Sequence, residues 1–252
     1  CYGSLVAPTN LGSGGATGTS GGGAIWMAIS GTMRNDGLVC ADGGAWSWPT
    51  GSGGSICLVA GNLLGGGIIR AAGGNWQYNG GGGRIALAVT NAGADFSGFA
   101  GIISTCGGTG ANGNGGAGTV YLRAANQDRN GGSLIIDNKT ISGDTTEINS
   151  NVTDAIVGDV LIMNKGYLLV NTNQTLTLSG NWSNAAGFSA CTESMVIFSG
   201  NAASTSAVYG SNTFMELVCT NTGGKTLMFE AGKTNTVPAP GRLLLKGSAT
   251  AT

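Results

Sequence analysis

Twelve acidic and eleven basic side chains, six cysteines, five tryptophans and no histidine are what this 252-residue chain offers for chemistry. The missing histidine excludes Ser-His and Cys-His nucleophile pairs, imidazole metal ligation and haem attachment through a C-x-x-C-H run. Carboxylates remain. Asp36 and Asp42 flank one short apolar run, and Arg70 stands one repeat later in the place of Cys40. A polysaccharide-cleaving β-helix needs such groups, carboxylates for proton transfer or Ca²⁺ ligation and a base beside the sugar. The acids are spread along the whole chain, no local motif gathers them, and solvated surface charge is the reading favoured here.

Cys1, Cys40, Cys57, Cys106, Cys191 and Cys219 are scattered and form no C-x-x-C pair, so zinc-ribbon and thioredoxin-like spacings are absent. Their even count permits up to three disulfides and an oxidising compartment, with the pairing left open. Among the aromatics, Trp46-Ser47-Trp48-Pro49 and Trp76-Gln77-Tyr78 fall in equivalent loops one repeat apart. Trp46, Trp48, Trp76 and Tyr78 are therefore the candidate binding platform, for stacking on sugars or on a neighbouring subunit; the competing reading is that they cap a hydrophobic ladder. The glycine string at 12–15 lacks the Gly-Lys-Ser/Thr ending of a phosphate loop, and 107–118 has no Asp to hold calcium. No cofactor and no metal are expected. Sequons begin at Asn138, Asn151, Asn173 and Asn181, as chance allows in a chain rich in Asn, Ser and Thr.

Charged residues make up 9% of the chain, against roughly 25% in an average soluble domain, and the net charge is -1. That gives no electrostatic footprint for nucleic acid or anionic lipid. A mean hydropathy of +0.17 argues against disorder. No apolar run of about 18 residues is present to span a bilayer. The chain starts at Cys1 and stops at Ala251-Thr252, which reads as a segment of something longer or processed.

The elements that position these residues announce themselves as repeats. Gly22-Gly23-Ala24-Ile25-Trp26-Met27 recurs as Gly53-Gly54-Ser55-Ile56-Cys57-Leu58, as Gly82-Gly83-Arg84-Ile85-Ala86-Leu87 and, more weakly, as Ala117-Gly118-Thr119-Val120-Tyr121-Leu122. A second string, Gly37-Leu38-Val39-Cys40, recurs as Gly67-Ile68-Ile69-Arg70 and Gly101-Ile102-Ile103-Ser104. A unit of roughly 30 residues with two short strands cannot bury its apolar side chains alone, but stacked copies can. The expectation is an all-β, parallel β-solenoid in which Ile25, Ile56, Ile85 and Val120 form one inward ladder and Met27, Leu58, Leu87 and Leu122 the next. Glycine would supply positive-φ corners and close approach, with 80–83 and 107–118 as external loops.

Of the 49 glycines, 35 fall in residues 1–118 and 14 in 119–252. Beyond that change, β-type runs are expected at 133–137, 160–163, 167–170, 175–179, 195–199, 214–219, 226–230 and 242–245. The division expected is 1–125, glycine-rich solenoid repeats, and 126–252, a continuing β-rich section with Thr/Asn-rich strands; one continuous domain is the default.

The opening Tyr2-Gly3-Ser4, Pro8-Thr9 and Leu11-Gly12-Ser13-Gly14-Gly15, with the Gly-Gly-Gly-Ala-Ile and Gly-Gly-Gly-Gly-Arg-Ile-Ala-Leu strings, resembles a glycine-rich β-solenoid repeat of very large extracellular proteins. The stretch from Leu176 to Asn184, then Val196-Ile197-Phe198-Ser199-Gly200, Ser211-Asn212-Thr213-Phe214 and 223–234, is similar to repeats of bacterial adhesin-like surface proteins. The resemblance implies an extracellular or cell-surface, structural or adhesive protein and carries no catalytic residue across. The functional expectation is a non-enzymatic surface element or filament section that self-associates or continues into a longer chain. The alternatives are a carbohydrate-active β-helix and a glycan-binding module.

Overall fold

The computed structural model describes residues 2–16, 18–45, 49–200, 204–220 and 224–246. In the first half the strands are β1 (Gly3–Ser4), β2 (Ala24–Arg34), β3 (Leu38–Cys40), β4 (Ser55–Leu64), β5 (Ile68–Arg70), β6 (Arg84–Val89), β7 (Ile102–Ser104) and β8 (Thr119–Arg123). Then come β9 (Ser133–Asp137), β10 (Thr146–Ile148), β11 (Val152–Asp154), β12 (Ile156–Val157), β13 (Asp159–Met163), β14 (Tyr167–Val170), β15 (Thr175–Leu178) and β16 (Trp182–Asn184). The last are β17 (Gly187–Ala190), β18 (Met195–Phe198), β19 (Thr205–Tyr209), β20 (Asn212–Thr213), β21 (Glu216–Cys219), β22 (Thr226–Phe229), β23 (Asn235–Thr236) and β24 (Arg242–Leu245). No helix occurs among the described residues.

A nine-stranded sheet in the order β2-β4-β6-β8-β9-β13-β16-β19-β22 runs the length of the molecule. The first half adds the three-stranded sheet β3-β5-β7, and the second half adds β10-β14-β17 and β12-β15-β18-β21-β24. Among the described strands pairing is parallel except between β8 and β9, which are antiparallel. The expected ladders are present as Cα partners: Ile25, Ile56, Ile85 and Val120 share one row, and Met27, Leu58, Leu87 and Leu122 another. Leu38, Ile68 and Ile102 align in the same way on β3, β5 and β7. Ile56, Leu58, Ile85 and Leu87 are fully buried, each worth roughly 1.5–3 kcal/mol.

Two hydrophobic cores lie on opposite faces of the long sheet. Ile56, Leu58, Ile85, Leu87 and Val120 belong to the first; Tyr121, Leu134, Ile136, Val160, Ile162 and Trp182 belong to the second. Trp182 packs edge-on against Phe188 and Phe214 there, at 4.7 and 5.4 Å between centroids. The second core also takes Leu5, fully buried at its edge, from an N-terminal strap over residues 2–10. The strap is tied down by Gly3–Ser4 pairing with β11 and by Asp154, which accepts from Ser4 Oγ and Leu5 N.

The glycine segments differ from expectation. Those at 80–83 and 107–118 are not external loops: Gly80, Gly83, Gly107, Gly108 and Gly115 are buried, and only 109–113 lie at the surface. Nor is positive φ their reason, since of these only Gly113 adopts it. Gly51 N donates to Gly44 O and Gly54 N to Ala41 O; Gly80 and Gly83 do the same to Gly74 and Ala71, and Gly115 and Gly118 to Gly108 and Thr105. Gly53 N and Gly82 N donate instead to the next repeat, to Gly81 O and Gly116 O. Donors three residues apart thus reach acceptors three residues apart, the period of an extended three-residue-per-turn helix rather than of a strand. Such segments pack backbone against backbone on several sides, and an added Cβ on Gly82 would sit 1.7 Å from Thr105 O.

Candidate functional site

The acid and base residues singled out above separate into two ion pairs. Asp42 sits just after β3 and Arg70 ends β5, so parallel pairing brings them together with 2.5 Å between Arg70 Nη2 and Asp42 Oδ2. Asp42 Oδ1 also accepts from Ala72 N at 2.7 Å, and the pairing with Asp42 raises the Arg70 pKa. Asp36, at the other end of β3, pairs with Arg34 and accepts from Gly66 N, contacts that hold its carboxyl below the usual range. The three-residue strand between them keeps the two carboxylates apart, each spent on its own cation and a backbone N–H. The Asp42–Arg70 pair borders a cavity with Asn75 and Cys106.

Of the candidate platform, Trp46 and Trp48 lie outside the described residues. Trp76 and Tyr78 are exposed on the loop between β5 and β6, at 56% and 45%. Cys1 also lies outside the described residues, and the other five cysteines are free thiols rather than disulfides. The reason is placement. Cys40 lies exposed on β3, Cys57 is buried on β4 opposite Trp26 and Ala86, Cys191 follows the end of β17, and Cys219 ends β21 in a different sheet. Burial pushes the Cys57 thiol up. Among the sequons, Asn138 is fully buried; its side chain accepts from Gly107 N and donates to Gly115 O, bonding the glycine layers to the second half. No group of three or more potential metal-ligating His, Cys, Asp or Glu side chains occurs among the described residues.

One polar constellation was missed in the sequence. Arg84, at the start of β6, is 4% exposed and lies beneath the N-terminal strap. Its guanidinium donates to Tyr2 O, to Asn10 O at 3.3 Å and to Ser55 Oγ at 3.0 Å, with the Tyr2 ring centroid 4.3 Å away. Burial lowers its pKa. A cavity of about 260 Å³ beside it is walled by Tyr2, Asn79, Asn114, Asp144 and glycine backbone. The signal was present: the repeats place Ala24, Ser55 and Thr119 in this row, so Arg84 is the one charge among small residues.

Comparison with protein-family models, with curated proteins and with solved structures returns no match to this chain.

Proposed function

We propose that the chain is a β-solenoid serving as a non-enzymatic, extracellular structural or adhesive element, a subunit or repeat section of a surface filament or matrix. Coils of about 30 residues fill the first half. In the second half the strands β9, β13, β16, β19 and β22 begin 26, 23, 23 and 21 residues apart, in keeping with shorter coils.

The observation that carries the reading is the character of the two ends. β2 is an eleven-residue edge strand with a single charge, Arg34, and an exposed Trp26; beside it Leu38 is exposed on β3. At the other end Met228 and Phe229 on β22 and Leu243, Leu244 and Leu245 on β24 are exposed. Soluble sheets blunt such edges with charge, proline or covering segments, and solenoid ends need capping coils. Apolar ends with no capping coil among the described residues, on a nearly neutral chain, favour association through those ends.

Replacing Trp26 and Leu38 by Lys tests this. The reading expects the double variant to lose concentration-dependent association in sedimentation velocity while keeping its circular dichroism spectrum. Unchanged association would remove the ends from the account. A glycan-binding module is the second reading, supported by the exposure of Trp76 and Tyr78 on one loop; binding of a soluble glycan abolished by their replacement with Ala would favour it.

A further inference from the structure

Arg84 brings a full positive charge beneath the strap, and every acceptor it reaches is neutral: two carbonyls, a hydroxyl and the face of Tyr2. None of the ion pairs among the described residues includes it. Its Nε–H is buried with no partner, and so is Oγ1 of Thr119, its Cα partner on β8. Of the two residues only Arg84 lines the cavity, and an unpaired guanidinium N–H next to such a space is what a missing polar occupant leaves behind. A buried cation without a counter-charge is unfavourable, and a carboxylate meeting guanidinium is the strongest neutral-pH remedy.

The rest of the lining narrows the choice. Asp144 lines the same cavity and is itself exposed, while Asn79 and Asn114 flank it. A carboxylate in the lining takes no anion, but it accepts from hydroxyls. A bare inorganic anion would use Arg84 and be repelled by Asp144; a neutral sugar would satisfy Asp144 and leave Arg84 uncompensated. The geometry points to one sugar-acid residue, a hydroxycarboxylate with its carboxylate on Arg84 and its hydroxyls toward Asp144 and the two amides. At about 260 Å³ the space is just below the roughly 300–1,000 Å³ of drug-sized sites and suits a single unit.

The test is titration calorimetry of the chain with D-glucuronate, D-glucose and inorganic phosphate. The expected result is saturable glucuronate binding at least tenfold tighter than either comparator and weakened by salt. Arg84→Gln should abolish it. Because Arg84 also anchors the strap, exposed Asp144→Ala is the second variant, expected to keep the fold and to weaken glucuronate by at least threefold. No saturable glucuronate binding, phosphate or glucose binding as tight, or wild-type affinity in a folded Asp144→Ala variant would each overturn the assignment. A chain that never self-associates leaves this site untouched, so the two proposals fail separately.

Discussion

Tyr121 and Leu134 are Cα partners across the antiparallel pair of β8 and β9, and both belong to the second core, while the adjacent partners Val120 and Ile135 pack with the first. One pair of strands therefore hands the core from one face of the long sheet to the other. Reversing strand direction alone would reverse the hand in which a chain winds along that sheet. Moving the core to the other face reverses it again, so in the proposed solenoid both halves wind with the same hand. The Tyr121 hydroxyl secures the reversal, donating to Arg129 O at 2.7 Å and accepting from Gly132 N at 2.8 Å.

Tyr121→Phe should destabilise the chain by about 1–3 kcal/mol, the cost of leaving the buried Gly132 N–H unpaired and of losing the part-buried bond to the Arg129 carbonyl. Urea unfolding followed by circular dichroism reads this. A variant within about 0.5 kcal/mol of the parent would mean the loop is held by other contacts.

Gly82→Ala and Gly23→Ala make a matched pair. A Cβ at Gly82 meets Thr105 O, whereas nothing lies within 4 Å of one at Gly23. The first should cost at least about 1–3 kcal/mol as overpacking and the second should be near neutral. Equal melting temperatures for the two variants would refute the backbone-to-backbone packing of the glycine layers.

Thiol labelling should follow burial. Cys40 is exposed and should react rapidly with a disulfide reagent, while Cys57 and Cys219 are buried and should react only on unfolding. Burial raises the folded-state pKa of Cys57, so between the unfolded value, about 8.5, and the folded value the native state holds more protons than the unfolded one. The neutral thiol's contribution is fully present below that unfolded value and is lost as pH rises above it. Replacing Cys57 with Ala should flatten this alkaline decline; an identical decline in the variant would assign it elsewhere.

The first half was legible because its apolar positions repeat: the registers of β2, β4, β6 and β8 follow directly from aligning Ile25, Ile56, Ile85 and Val120. Strands 133–137, 167–170 and 242–245 were readable from their branched and apolar runs. β10, β16 and β17 were not. Thr146-Glu147-Ile148, Trp182-Ser183-Asn184 and Gly187-Phe188-Ser189-Ala190 hold too few apolar residues to stand out, and parallel pairing with β14, β13 and β14 respectively fixes them. The antiparallel reversal was hidden because alternation is the same in both strand directions. Arg84 broke the repeat in plain view, but its burial depends on a strap that begins 74 or more residues earlier.

The most direct test is electron microscopy of the chain across a concentration series, with sedimentation velocity on the same samples. Stacks lengthening along the long-sheet direction as concentration rises are the predicted result. A single particle of 24.8 kDa at every concentration would contradict self-association through the apolar ends.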